Sequence, residues 1–406
     1  MPRTRDVTSC PDQDAPRRLL LIQLSSSRDG STLSGLQLLD SFKEAGWETH
    51  VFFGHDGPMV ETYADHGHAT QIRAHKNWLR QPMPWQFLRN RRHAQIDGRD
   101  MLNPMGVLEP TLVYVNSGAS YAGAWAAKKL GIPAVWHVRE LMSDEGGELY
   151  APLGFRRTVR QAFRSMTQSR VANSRHVARA VFGNQPDVHV VHNAVDDHYL
   201  DNEIDRGDAR STIGFSGQDV VVGIPGTMRP MKGHAFALNA LQPWLVQEPD
   251  RRIAITGNLS SPYARSIRGL CGELGLEGRV DFLGDIRDMR VFYRACDIVL
   301  VPSSSEPFGR VAIEAMACGS KLVSTRAGGL PEIVEHGVNG LMIDYGDQEG
   351  LRNAIRELCQ NSSLGERLSA KALCDVRQHF NLAEYRQRLA AVVMGVVKHA
   401  TQRSQP

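Results

Sequence analysis

The sequence predicts an α/β protein of two doubly wound domains facing a cleft. Short apolar runs alternate with stretches of helical periodicity in both halves, the pattern of parallel sheets covered by helices. At 406 residues the chain exceeds one ordinary core, so two domains of roughly 200 residues are expected. The first strand runs into a loop of small polar residues, at the sheet edge where doubly wound folds place phosphates.

Composition narrows the class. An apolar fraction of 42% and a charged fraction of 22% are those of a soluble globular protein, and a net charge of +3 selects no partner by itself. The six cysteines (10, 271, 296, 318, 359 and 374) form no C-x-x-C pair, so they read as reduced thiols of a cytosolic protein rather than a disulfide or zinc framework. No run reaches the ~18 apolar residues of a membrane span, and the basic start M-P-R-T-R lacks a signal-peptide core. A cytoplasmic location is expected. Residues 1–16, polar and rich in Pro and Asp, read as a disordered tail. The D-x-D triplet at Asp12 to Asp14 precedes any strand and reads as tail composition rather than a metal site.

In the first half, Leu19 to Leu24 is a strand, residues 25–32 a flexible polar turn, Leu33 to Ala45 a helix and Glu48 to Phe53 the next strand. The turn holds Gly30 and Ser31 but no G-x-G-x-x-G, which disfavours a dinucleotide oxidoreductase. Residues 73–99 carry seven cations against the single acid Asp97, with Trp78, Trp85, Phe87 and Leu88 interleaved. Arg156, Arg160 and Arg164 repeat at i+4 on a predicted helix. Both stretches suit an anionic membrane surface. They equally suit a solvated basic face with its aromatics packed inward, and no nucleic-acid motif accompanies them. Thr111 to Val115 and Ala134 to His137 are further strands around the helix Tyr121 to Leu130. The second of them runs W-H-V-R-E, placing His137 at a strand end, with Arg139 and Glu140 beyond it. Val188 to Val191 then leads to H-N-A-V-D, ending at Asp196.

In the second half, the strand Val220 to Ile224 enters Gly226, Thr227, Met228, Arg229, Pro230, Met231, Lys232, Gly233 and a helix to about Leu245. Two cations on a strand-to-helix loop suit a diphosphate, because each gives a charge-assisted hydrogen bond. Strands at 252–256, 280–283, 298–301 and 321–324 alternate with helices, and Gly328-Gly329 marks a place where backbone approaches something closely. The central stretch is V-P-S-S-S-E-P-F-G-R-V-A-I-E-A-M-A-C-G, from Val301 to Gly319. Here a buried strand turns through serines into a helix opened by Pro307, Phe308 and Gly309, a ready anion site. Glu306 lies in the loop, and Glu314 lies more than one turn inside the helix, placed to accept from a vicinal diol.

This stretch resembles the E-x7-E signature of the family 4 retaining nucleotide-sugar glycosyltransferases, matching also at Phe308, Gly309, Ala315, Met316, Ala317 and Gly319. The resemblance extends to Lys232-Gly233, to G-G-L-P-E at 328–332 and to H-N-A-V-D. It departs at Thr227, where the family has arginine, at Ala194, and at Ser31, where a second glycine is usual. It implies the GT-B architecture: a tail at 1–16, an acceptor-side domain at 17–195, a nucleotide-sugar domain at 196–380 and a helix at 381–406 packing back on the first domain. It implies catalytic roles for Glu306, His137, Lys232 and Arg229. Donor contacts would come from Gly30, Ser31, Gly226, Thr227, Pro307, Phe308, Gly309, Arg310, Val311 and Glu314, without a metal or other cofactor. The expected reaction moves a hexosyl or N-acetylhexosaminyl unit from a UDP-sugar, or else a GDP-sugar, to a lipid-linked or surface-polysaccharide glycan. A nucleotide-sugar epimerase and a non-catalytic nucleotide or sugar binder are the alternatives. Residues 73–99 and 156–164 would touch the inner face of the membrane, and no nucleic acid is expected.

Overall fold

In the computed structural model each half of the chain builds a fully parallel sheet. The structure describes residues 16–403 apart from 81–82, 143–146, 148, 152–153, 184–186 and 202. The expected tail thus lies outside the described residues except for Pro16, and Asp12 to Asp14 lie outside with it.

The first sheet has seven strands in the order β3-β2-β1-β4-β5-β6-β7. They are β1 (Arg18–Gln23), β2 (Glu48–Phe53), β3 (Ala69–Ile72), β4 (Leu112–Asn116), β5 (Ala134–Val138), β6 (Ser169–Ala172) and β7 (Val188–Val190). Strand β1 is buried on both faces. Leu20 and Ile22 join a core with Trp136 and Phe163, while Leu19 and Leu21 join one with Phe42 and Val393. Sheets buried on both sides read as continuous apolar runs, which is why the β1 sequence R-L-L-L-I-Q was legible. Strand β3 was not, because its A-T-Q-I sequence lies at the sheet edge and is mostly exposed.

Helix α1 (Gly30–Glu44) starts earlier than the periodicity suggests. Asp29 caps it, accepting from Ser31 N at 2.9 Å and Thr32 N at 3.0 Å, and Thr32 Oγ1 accepts in return from Asp29 N at 3.0 Å. The second half of the expected flexible turn, from Asp29 on, is therefore a helix start. Helices α2 (Pro58–Asp65), α3 (Pro84–Leu108), α4 (Tyr121–Leu130) and α5 (Arg156–Met166) complete the covering layers.

The basic aromatic segment divides between core and surface. Trp78 and Phe87 are buried beside Tyr121 and Phe163, and Trp78 Nε1 donates to Gly118 O at 2.8 Å. Trp85 and Leu88 stay exposed on α3, at 64% and 53%, together with Arg89 and Arg92. The arginine row of α5 divides too. Arg164 is exposed, but the half-buried Arg160 donates to Val181 O at 3.0 Å and Ala180 O at 3.3 Å. Arg160 is thus spent on satisfying chain carbonyls rather than held out for a ligand.

The second sheet has six strands in the order β10-β9-β8-β11-β12-β13. They are β8 (Val220–Ile224), β9 (Arg251–Thr256), β10 (Val280–Gly284), β11 (Ile298–Val301), β12 (Lys321–Thr325) and β13 (Leu341–Ile343). The strand order reverses between β1 and β4 in the first sheet and between β8 and β11 in the second. Open α/β sheets bind ligands at such switch points. The last helix, Leu382–Arg403, returns to the first domain: Tyr385, Leu389 and Val393 pack with Leu19 and Leu36, and Arg386 pairs with Glu44 at 2.8 Å.

Candidate active site

Two loops meet at the second switch point. Gly233, at φ +74°, follows Lys232 and packs so tightly on β11's exit that a Cβ would lie 1.9 Å from Pro302 O. Ser304 N donates to Met231 O at 2.8 Å. These backbone contacts bring Lys232 Nζ within 2.6 Å of Glu306 Oε2, which also accepts from Ser303 Oγ at 3.3 Å. Glu306 is 6% exposed, so the pair is largely withdrawn from water. The glycine pair at 328–329 approaches this same loop. Gly329 N donates to Glu306 O at 2.8 Å, and a Cβ on Gly328 would lie 2.0 Å from that oxygen.

Gly309, at φ +113°, starts the helix Arg310–Ala317, and a Cβ there would meet Leu330 Cδ2 at 2.6 Å. Within it Glu314 is buried, accepting from Arg310 Nε at 2.7 Å and from Tyr293 Oη at 2.9 Å. Arg310 reaches further, to Asp196 Oδ2 at 3.2 Å and Ser34 Oγ at 3.5 Å. It therefore joins the second domain to α1 and to the linker between the domains, residues 191–196. The structure also brings Gly30 beside Arg310, where a Cβ would lie 3.7 Å from Cδ, and Gly226 beside Val311, at 3.8 Å from Cγ1. Phe308 is buried and Pro307 half-buried, with Pro307 O accepting from Ser174 Oγ of the first domain at 2.6 Å. Thr227 and Arg229 lie exposed on the β8 loop, where Arg229 O accepts from Lys232 N at 3.0 Å.

Two expected site residues are engaged differently. Ser31 Oγ donates to Asp29 Oδ1 at 2.7 Å, so its hydroxyl serves the helix cap. His137 is fully buried, with Nδ1 2.7 Å from Tyr114 Oη and Nε2 without a hydrogen-bond partner among the described residues. Strand parity explains this: Trp136 and Val138 face one core, and His137 shares the other face with Val135, beneath a covering layer. Arg139, just past the strand, is the residue that reaches the linker. It donates to Asn116 Oδ1 and Asn193 Oδ1, each at 2.6 Å, and to Tyr385 Oη at 3.1 Å. The Glu140 carboxylate accepts from Ser117 Oγ and, at 3.0 Å, from the backbone N of Gly118 and of Arg139.

Glu332 forms a second tie between the domains, accepting from the backbone N of Arg175 and of His176 at 2.8 Å and bonding His192 Nε2 at 3.0 Å. Burial pushes its pKa up, but these bonds outweigh it and hold the carboxyl below the usual range. Nothing local in G-G-L-P-E announces this partner, because the contact arises only when the domains meet.

Burial lowers the pKa of His137 and brings those of His75 and His234 down to about 4. Unfolded histidine titrates near 6.5. Between those values the unfolded chain binds protons that the folded chain refuses. Stability is therefore full above about pH 6.5 and falls as pH drops toward 4. Urea unfolding at stepped pH is expected to show this loss, with a shallower slope for His75→Gln. Equal slopes for variant and wild type would mean that His75 titrates normally in the fold.

Known proteins resemble both halves. Residues 205–373 match the model of "Glycosyl transferases group 1", and residues 29–199 match that of "Glycosyltransferase Family 4". A D-inositol 3-phosphate glycosyltransferase of Mycobacterium sp. (strain KMS) is 38% identical over 166 residues, 39% of this chain and 36% of the relative. The protein of that name from Corynebacterium glutamicum (strain R) is 35% identical over 172 residues, 41% of each chain. The chain thus aligns with well under half the length of these relatives. Among solved structures, Anabaena HepE in complex with UDP-glucose superposes with a TM-score of 0.80 at 24% identity, over 93% of this chain and 99% of that one.

Proposed function

This chain belongs to glycosyltransferase family 4, and from that premise we propose that it moves a hexosyl or N-acetylhexosaminyl unit from a nucleotide sugar to an acceptor hydroxyl, with retention of anomeric configuration. The observation that carries the reading is the Lys232–Glu306 pair, 2.6 Å apart where the β8 and β11 loops meet. In this reaction the bond from the anomeric carbon to a diphosphate oxygen breaks, the bond to the acceptor oxygen forms on the same face, and the acceptor proton passes to the diphosphate. The step demands stabilisation of the leaving dianion. Lys232 supplies a fixed positive charge for it, Arg229 a second cation on the same loop, and the first N–H groups of the helix at Arg310–Ala317 add theirs. Glu306 orients the donor sugar, and Glu314 takes the ribose hydroxyls. His137 orients the sugar with Glu306, its Nε2 having no hydrogen-bond partner among the described residues. Gly30, Gly226, Pro307, Phe308, Gly309 and Val311 shape the donor's bed. No residue role here calls on a metal.

UDP is our first choice of nucleotide, supported by the fold neighbour crystallised with UDP-glucose, and GDP is the second. For the acceptor we propose a lipid-linked or surface-polysaccharide glycan. Among the described residues no helix is long and apolar enough to cross a membrane. The exposed row Trp85, Leu88, Arg89, Arg92 and Ile96 repeats at helical spacing along α3 and suits an anionic lipid surface. The names of the Mycobacterium and Corynebacterium relatives add a phosphorylated polyol to the acceptors worth screening.

Thermal shift against UDP, GDP, ADP and their sugar conjugates tests the donor class. UDP is expected to raise the melting temperature, and Glu314→Ala to weaken that response about tenfold in nucleotide concentration, the loss of one charge-assisted pair of bonds. No shift with any nucleotide would favour a non-catalytic relative. Interconversion of free donor without acceptor would identify an epimerase instead.

A further inference from the structure

We propose that the outer face of the N-terminal domain holds a divalent transition-metal ion, bound by Asp40, His66 and His68. Asp40 lies on α1, four residues before its end; His66 caps the C-terminus of α2, and His68 directly precedes β3. Gly67 between the histidines is at φ +79°, which lets the chain turn so that both rings reach one carboxylate. His66 Nδ1 lies 3.1 Å from Asp40 Oδ2, and His68 Nε2 lies 3.0 Å from Asp40 Oδ1. One ligand atom from each of the three residues falls within 4.8 Å of the others.

The donor set selects the ion. Two imidazoles and one carboxylate suit zinc, cobalt or nickel, whereas magnesium and calcium prefer all-oxygen shells. Bonds of ~2.1 Å in a tetrahedral site put ligand atoms roughly 3.4 Å apart, so the carboxylate, now 3.0 and 3.1 Å from the two imidazoles, need part from each only slightly to admit the ion. The side chain of His66 is 45% exposed, leaving the fourth position on the solvent side for water.

His68 carries a feature of built sites. Its side chain is fully buried, and Nδ1 lies 2.8 Å from Thr49 Oγ1, itself buried. A hydroxyl both donates and accepts. Without an ion, Thr49 donates to Nδ1 while Nε2–H donates to Asp40. With one, the hydroxyl accepts from Nδ1–H and Nε2 turns its lone pair to the metal. Such an outer partner fixes the tautomer and aims the ring. Opposing the ion is Lys43, whose Nζ donates to His66 O at 2.6 Å.

The site lies about 15 Å along α1 from Gly30, so it does not touch the reacting sugar. It would clamp α1 to the α2–β3 turn, stiffening the helix from which Gln37 bonds Asp196 of the linker.

The test uses the full chain after chelation, with zinc, cobalt and magnesium chlorides as probes. Zinc and cobalt are expected to raise the melting temperature by roughly 5 °C at a hundredfold excess over Kd, magnesium not at all. Bound cobalt is expected to show visible d–d absorption with imidazole ligation. His66→Ala, at the exposed ligand, is expected to lose both signals while keeping the melting temperature of the metal-free protein, and Asp40→Asn to lose them as well. Lys43→Gln is expected to tighten binding severalfold. An unchanged zinc shift in His66→Ala and Asp40→Asn, or no saturable shift in the wild type, overturns the proposal.

Discussion

Replacing Lys232 by alanine is expected to lower sugar transfer by at least tenfold. The loss of one hydrogen bond to a charged group is worth about 1.5–3 kcal/mol, or roughly 10- to 150-fold. Lys232 has two tasks, and a second substitution separates them. In the free protein it neutralises Glu306, whose side chain is only 8% exposed. Removing the cation leaves a buried carboxylate without its partner, which destabilises a fold on its own account. Lys232→Ala should therefore melt lower than wild type, and adding Glu306→Gln should recover much of that loss. Activity should not recover, because the charge that meets the leaving diphosphate is still missing. Return of transfer in the double variant would mean that Lys232 serves only to hold Glu306. Unchanged transfer in Lys232→Ala would remove it from the chemistry altogether.

Trp78→Ala is expected to destabilise the protein by about 3–5 kcal/mol, lowering the melting temperature by roughly 10 °C. Trp78 is 1% exposed, with its ring centroid 4.8 Å from that of Tyr121 and 5.7 Å from that of Phe87. Its truncation opens a cavity and leaves Gly118 O without its indole donor. Trp85, seven residues on and 64% exposed, makes the matched comparison. Trp85→Ala should leave stability within about 0.5 kcal/mol of wild type. The pair also separates core from membrane. Co-sedimentation with anionic liposomes should weaken in Trp85→Ala, and sedimentation that ignores lipid charge would argue against a lipid-facing α3. A similar melting temperature for both variants would contradict the division of this segment into an inward and an outward face.

Much of this architecture is written locally. Strand β2 spans Glu48–Phe53, and β11 spans Ile298–Val301, each where the apolar run placed it. Helix α4 covers Tyr121–Leu130, ended by Gly131 in the left-handed region. Lys232-Gly233, Glu306 and Glu314 stand out because the glycines, the serine turn and the spacing of acids are short-range features. What the sequence determined by itself was the alternation of strands and helices, and with it the fold class, together with the identity of the charged groups on the loops.

The tertiary structure decided which of those groups meet and which way the others face. Lys232 and Glu306 are 74 positions apart and touch because β8 and β11 are neighbours in the sheet, a pairing that no local pattern encodes. Trp78 and Trp85 have the same chemistry in the same basic stretch, but only packing against α4 and Phe163 distinguishes the buried ring from the exposed one. His137 reads as a residue at an open strand end until the layer over Val135 covers it. Asp40 and His66 look like scattered surface groups, and it is the arrival of α2 beside α1 that sets them together. In each case the deciding factor is contact with a segment distant in sequence, which exists only once the strand order has formed.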